Sequence, residues 1–283
     1  MSPQDPILAN KPPESLHDGA GWWMREALLA MGLVALILGS MWISTGMFPP
    51  MVVVESTSMM HDDDGSFGAI DPGDLVMVMS QERVEIVTFV EATQEDNVNF
   101  GHESHGMPGD VIIYSKNGGP DTPVIHRALL KAVANNSGGW DVPGTTLRNV
   151  DSVTWTLDYE CSYHGGTYNL KVDQWVPVHD GFLTAGDNNG CMIDQPSANN
   201  QGTGSGLFES GNPVLAAKEE WIVGVASAEI PWIGAIKLLS SGTHGSVTQG
   251  TWTYLTLTTL LILASPVIID FATSQMRGSN EEE

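Results

Sequence analysis

From Ala27 to Val54 the chain carries no ionisable side chain. A helix needs about 20 predominantly apolar residues to cross a hydrocarbon core. Ala27–Phe48 meets that length and runs into Pro49-Pro50, which cannot continue a helix. A secretory signal peptide has a shorter apolar region and a small-residue cleavage site, so this run reads as a retained anchor. A second uncharged stretch, Thr251–Ile269, lies near the other terminus. Its threonines at 251, 253, 256, 258 and 259 also suit a strand, but the uncharged length favours a helix. Trp22 and Trp23 before the first run, and Trp252 and Tyr254 in the second, suit the membrane interface.

Two spans leave both tails on one side. Lys11, Arg25 and Arg277 place those tails in the cytoplasm by the positive-inside bias. The expected organisation is a cytoplasmic tail 1–26, a transmembrane helix 27–48, an exterior domain 49–247, a second transmembrane helix 251–269 and an acidic cytoplasmic tail 270–283. Such a chain is a multi-pass protein of the cell membrane, with the lipid bilayer as its first partner. The balance of 34 acidic against 11 basic residues, net −23, argues against nucleic acid, whose phosphates it would repel. With 16% charged and 42% hydrophobic residues the chain is still a folding one, not a disordered acidic tail. Two cysteines exclude a disulfide scaffold and a multi-cysteine zinc module, while an exterior location permits a Cys161–Cys191 disulfide.

The exterior domain reads as mostly β. Met51–Glu55, Asp74–Ser80, Val84–Val90, Asp110–Tyr114, Val124–Val133, Trp175–Val178 and Trp221–Ala226 are short β-rich runs punctuated by Pro, Gly, Asn and Asp. No amphipathic helix of ordinary length stands out, so a curled or barrel-like sheet is expected. Residues 91–109 and 135–178 look inserted, the second as a small β subdomain. Gly190–Pro213, rich in Gly, Ser and Asn, reads as a mobile loop.

Known chemical signatures are mostly missing. There is no G-x-S-x-G nucleophile elbow. His102-Glu-Ser-His105 is one residue short of the zinc-binding H-E-x-x-H, and reads as a solvated loop. His61-Asp-Asp-Asp64 lacks the oxygen spacing of a calcium loop and reads as a turn. Three segments remain: Ser56-Thr-Ser58-Met-Met60, Val124-Ile-His126-Arg127, and Gly186-Asp187-Asn-Asn189 with Asp194. They supply a hydroxyl, an imidazole and two carboxylates, the set needed for acyl transfer. A serine is a weak nucleophile until an imidazole takes its proton, and a carboxylate can orient that imidazole. The order Ser, His, Asp matches none of the three familiar triad orders.

These segments, in this order, resemble the type I signal peptidases of archaeal and endoplasmic-reticulum type. Ser56-Thr-Ser-Met59 resembles the nucleophile motif that follows the first span, and Pro72-Gly-Asp74-Leu-Val the strand motif after it. Gly109-Asp-Val-Ile-Ile113 with Ile125-His-Arg127 resembles the strand pair bearing the base, and Leu183-Thr-Ala-Gly-Asp-Asn-Asn189 with Asp194-Gln195 the acidic motif. Val223-Gly-Val225 and Ile230-Pro-Trp-Ile-Gly234 resemble the end of the domain. The resemblance implies Ser58 as nucleophile, His126 as general base, Asp194 as its orienter and Asp187 as a second important acid. It implies oxyanion stabilisation by the Ser58 backbone N–H and the Ser56 hydroxyl. It requires no cofactor and no metal. Its substrates are secretory preproteins with signal peptides, cut at the outer membrane surface, with the protein translocation machinery as a neighbour. Two departures stand out: Met60-His61 occurs where the family usually has Pro, and the Asp187–Asp194 spacing is one residue longer than usual, which leaves Asp187 as the alternative orienter. Lys116 and Lys131 are expected at the surface. The alternative reading is a catalytically silent homologue that binds signal peptides or scaffolds translocation.

Overall fold

The computed structural model describes residues 16–160, 167–198 and 206–280. The chain divides into two compact units, Met1–Ser44 and Thr45–Glu283.

The first unit is carried by α1 (Leu16–Thr45), an Ala-, Leu- and Met-rich helix. It begins inside the expected tail and ends before Phe48, because Gly46 takes a left-handed φ of 72° that terminates the helix. Its Gly21–Thr45 stretch is long and apolar enough to cross a membrane.

The second unit is β-rich. In order it contains β1 (Met51–Val53), β2 (Leu75–Met79), α2 (Phe89–Thr93), β3 (Glu103–Ser104), β4 (Met107–Pro108), β5 (Val111–Tyr114) and β6 (Val124–Ala134). There follow β7 (Trp140–Asp141), β8 (Val153–Glu160), β9 (Thr167–Trp175), β10 (Gly181–Ala185), β11 (Phe208–Glu209), β12 (Asn212–Pro213), β13 (Ile222–Ile230), α3 (Gly234–Ser241) and α4 (Gln249–Asn280). The main sheet runs β1-β2-β13-β5-β6-β10, with β7 added to β6. Its strand pairs are antiparallel, and among the described residues it is an open sheet, not a closed barrel.

Several sequence expectations change. Val84–Val90 is not a strand: residues 84–88 are irregular and α2 begins at Phe89. Thr88 and Glu91 form a capping box, with the Thr88 side chain accepting from the Glu91 N–H and the Glu91 carboxylate accepting from the Thr88 N–H. That local chemistry overrides the β propensity of the valines and isoleucine. Beyond Trp175 the chain leaves the sheet, and Val176 and Val178 are exposed. The expected irregular insertion 91–109 holds the rest of α2 and the β3–β4 hairpin. Gly190–Pro213 contains a 3₁₀ turn at Pro196–Ala198 and the β11–β12 hairpin; residues 199–205 lie outside the described residues.

The stretch 135–178 is not a separate subdomain. Leu157, Tyr159, Leu170 and Val172 of the β8–β9 hairpin share one buried cluster with Leu129 of β6 and Leu183 of β10. A second cluster joins Ile112, Tyr114, Ala128 and Phe182. Ala128 and Leu129, neighbours on β6, thus serve two different layers, as strand alternation requires.

α4 is a helix despite its threonines. The hydroxyls of Thr253, Thr256 and Thr259 donate to the carbonyls four residues earlier, at 2.9, 2.8 and 2.8 Å, so they add no unsatisfied polar group. Its Gln249–Asp270 stretch is long and apolar enough to cross a membrane.

Candidate active site

Ser58 lies on the turn after β1, where the Met60 N–H donates to the Thr57 carbonyl at 3.3 Å. The loop after β10 clamps this turn. The Asn188 N–H donates to the Ser58 carbonyl at 2.8 Å, and the Asn188 side chain donates to the Thr57 carbonyl at 3.1 Å. Gly186 is required for that approach: a Cβ there would stand 2.6 Å from the Ser58 carbonyl oxygen.

His126 sits on β6, and only 4% of it is exposed. Its Nε2 is 3.0 Å from Ser58 Oγ, and its Nδ1 is 2.7 Å from Asp194 Oδ2. Asp194 is fully buried. Its Oδ2 also accepts from the Tyr114 hydroxyl at 2.8 Å and the Thr184 hydroxyl at 2.6 Å. Thr184 is held by Gln195, whose Oε1 accepts the Thr184 N–H at 2.9 Å. Burial, and then the Asp194 carboxylate beside it, push the Tyr114 phenol well above its ordinary pKa, so it stays a neutral donor. A carboxylate fixed by these donors accepts a hydrogen bond from the His126 Nδ1–H, which leaves Nε2 as the acceptor facing Ser58. The Ser56 hydroxyl completes the row, 3.0 Å from Ser58 Oγ.

Asp187 is elsewhere. Its carboxylate receives Arg127 Nε at 2.8 Å and Nη2 at 2.6 Å, the Tyr159 hydroxyl at 2.6 Å, and lies 3.0 Å from His61 Nε2. Burial raises its pKa, but the Arg127 charge and the hydrogen bonds from His61, Arg127 and Tyr159 outweigh that and hold it well below the usual carboxylate range. The other arm of Arg127 donates to the Gly109 carbonyl at 2.6 Å and the Ser104 carbonyl at 2.9 Å. Asp187 therefore ties the serine loop, through His61, to β6 and the β3–β4 hairpin. Its hydrogen-bond partners do not include His126, whose Nδ1 is met by Asp194 instead.

Tyr114, Thr184 and Tyr159 were given no site role in the sequence, Arg127 appeared there only as a motif neighbour of His126, and His61, expected in a turn, instead reaches Asp187. One signal was present for Arg127: an arginine next to His126 on a strand points to the opposite face, where burial demands a counterion. His105, expected in a solvated loop, has a side chain only 5% exposed and faces Glu229 at 3.4 Å. Lys116 is not a free surface residue; it is largely buried and paired with Glu209 at 3.2 Å. Lys131 pairs with Glu219 and lies over the Phe182 ring. Cys191 is in a disulfide, and Cys161 lies outside the described residues.

Ser58 and His126 open onto a cleft of about 810 Å³ with a largely apolar lining, bordered by Met51–Val54 on one side and Pro123–Ile125 on the other. Both borders carry free strand edges among the described residues. β1 pairs only with β2, and β10 pairs with β6 only from Arg127 onward. The arrangement sets a hydroxyl, an imidazole within hydrogen-bond reach of it and a carboxylate against that imidazole beside a cleft with room for an extended ligand. Comparison with known proteins finds no matching family model, no matching curated protein and no matching solved structure.

Proposed function

We propose that this chain is a membrane-bound serine endopeptidase that removes signal peptides from secretory preproteins at the exterior face of the membrane. The observation that carries the reading is the unbroken hydrogen-bonded series Ser58–His126–Asp194 at the mouth of an apolar cleft.

The chemistry follows from the distances. His126 Nε2 accepts the Ser58 proton as Oγ bonds to the scissile carbonyl carbon. Asp194 stays ionised and holds the imidazolium, and the Ser56 hydroxyl with the Ser58 backbone N–H donates to the new oxyanion. His126 then passes its proton to the leaving amine, the C–N bond breaks, and an acyl-Ser58 ester remains. A water, deprotonated by the same imidazole, hydrolyses that ester and returns the proton to Ser58.

Selection of an extended preprotein segment has support in the two free strand edges beside the cleft. A chain lying between them can add main-chain hydrogen bonds while alternate side chains enter the apolar floor. The two helices long and apolar enough to cross a membrane support a bilayer location.

The test is cleavage of a preprotein by the detergent-solubilised full chain beside Ser58→Ala. Product cut after a small residue with the wild type, and none with Ser58→Ala, is the expected result. Equal cleavage by both overturns the assignment of Ser58. No cleavage by either, with uncut preprotein retained, returns the reading to a silent binding homologue.

A further inference from the structure

A second cavity, of about 150 Å³, lies away from Ser58 where β13 gives way to the helices. One part of its lining is aromatic: Phe67, Trp232 and Tyr254. Their rings form one cluster, Trp232 stacked on Tyr254 at 5.3 Å and Phe67 edge-on to Trp232 at 5.3 Å. Another part is acidic, formed by Asp71 and Asp74. Asp74 has its bonds: its Oδ1 accepts the Trp232 N–H at 2.9 Å and its Oδ2 the Asp71 N–H at 3.0 Å. Asp71 does not. Its Oδ2 accepts the Ser66 N–H at 2.7 Å, but its Oδ1 is buried without a partner, in a residue only 5% exposed.

A buried carboxylate oxygen without a donor is costly, so this one calls for a cation or a donor from outside the chain. Among the described residues no group of three or more His, Cys, Asp or Glu side chains is set to hold a metal ion. Aromatic faces beside carboxylates instead match an organic ammonium, which ring quadrupoles and a negative charge attract together. A void of about 150 Å³ holds a benzene-sized group, which is also the size of a trimethylammonium head. Tyr254 belongs to the first turns of α4, at the start of its apolar stretch, where lipid headgroups lie if that stretch is inserted.

We propose that the Phe67–Trp232–Tyr254 and Asp71–Asp74 pocket is a binding site for a small organic ammonium group. The proposal does not depend on the peptidase reading. The ammonium can belong to a free solute or to a lipid headgroup.

The experiment titrates the full chain, in a non-ionic maltoside detergent, with tetramethylammonium chloride by calorimetry, against sodium chloride at equal concentration. Expected is a saturable heat absent with sodium. Affinity should fall at least tenfold in Asp71→Asn and in Trp232→Ala, each verified as folded by circular dichroism, and stay unchanged in Asp63→Asn. It should also weaken on acidification from pH 8 to pH 5. Burial lifts Asp71 to about 7 against the Ser66 N–H bond and with the help of Asp74, Asp62 and Glu229, and lifts Asp74 to about 6 against the Trp232 and Asp71 N–H bonds, with Glu229 adding to the rise and His105 opposing it, so acid neutralises the wall. No saturable binding beyond the sodium control overturns the proposal, as does equal binding by wild type and Asp71→Asn. Repeating the titration in phosphatidylglycerol vesicles with and without phosphatidylcholine separates the sources. Weaker tetramethylammonium binding with the choline lipid makes a headgroup the occupant, and unchanged binding makes it a free solute; either outcome supports the ammonium chemistry.

Discussion

Asp187→Asn should break the fold before it breaks the chemistry. The substitution keeps the side-chain shape but removes the charge facing Arg127, a residue with no exposed side-chain surface. Removing one partner of a buried ion pair costs about 3–5 kcal/mol, because the other charge stays buried without compensation. Here the lower end applies. The Arg127 guanidinium keeps the Gly109 and Ser104 carbonyls, and an asparagine oxygen can still accept one of its bonds. A loss of about 3 kcal/mol, divided by a urea slope of about 1–3 kcal/mol per molar, lowers the unfolding midpoint by roughly 1–3 M. The assay is urea unfolding of the detergent-solubilised full chain by tryptophan fluorescence, with preprotein cleavage measured at low urea where the variant is still folded. Cleavage by the folded fraction should stay within about tenfold of wild type, since Asp187 does not touch His126. Asp194→Asn should do the reverse, losing on the order of 10⁴ in rate, as a wrongly set imidazole does, with a smaller change in midpoint. A wild-type midpoint for Asp187→Asn, combined with a cleavage loss as deep as that of Asp194→Asn, would refute the division of labour between the two acids.

Gly186→Ala should cut kcat by about 10²-fold while the fold survives, because its Cβ meets the Ser58 carbonyl and moves the nucleophile; unaltered cleavage would remove Gly186 from the positioning of Ser58. Tyr114→Phe removes one of the donors to Asp194 and leaves Thr184 and His126 in place, so kcat should fall by roughly tenfold with KM unchanged. Stability should fall as pH rises from 5 to 8. Asp71 and Asp74 are raised to about 7 and about 6 against 3.8, so the native state holds protons that the unfolded chain releases. That contribution is full below the unfolded value and lost as pH climbs through the folded one. Wild type should lose up to about 4 kcal/mol over this range and Asp71→Asn less; a pH-independent urea midpoint would show that the two acids are not protonated in the fold.

The strands that were legible in the sequence are those whose pattern is local. Met51–Val53, Leu75–Met79 and Val111–Tyr114 fall within the β-rich runs read there, and β6 needs only its end moved from Val133 to Ala134. Val84–Val90 misled because its apolar residues suit a strand while Thr88 and Glu91 write a helix start across its end. The β8–β9 hairpin looked independent because its pairing is with itself; that Tyr159 reaches under β6 to Asp187 is a tertiary fact with no local signature. The same limit applied to the site. Ser58, His126 and Asp194 were legible as chemistry-bearing types within three short segments, though in none of the familiar triad orders. The choice between Asp187 and Asp194 was not, since both follow β10 within one short segment and spacing alone favours neither.

Strand alternation separates the two acids physically, with Asp194 beside His126 and Asp187 beside Arg127. His126 and Arg127 are consecutive on β6 and must project to opposite faces. Ala128 and Leu129 repeat the split, one in the layer with Tyr114 and the other in the layer with Tyr159. Each face then needs one carboxylate, for opposite reasons. On the Arg127 face a permanent buried charge demands a permanent counter-charge, and Asp187 is held ionised to supply it. On the His126 face the proposed chemistry creates a charge only when Ser58 gives up its proton, and Asp194 stands beside that imidazole among the neutral donors Tyr114 and Thr184. The segment after β10 crosses the end of β6 to deliver both acids, and on its way binds the Ser58 carbonyl through the Asn188 N–H. Loss of activity on changing Asp187 is therefore expected from folding alone, and only a measurement that separates stability from rate can assign either acid to the chemistry.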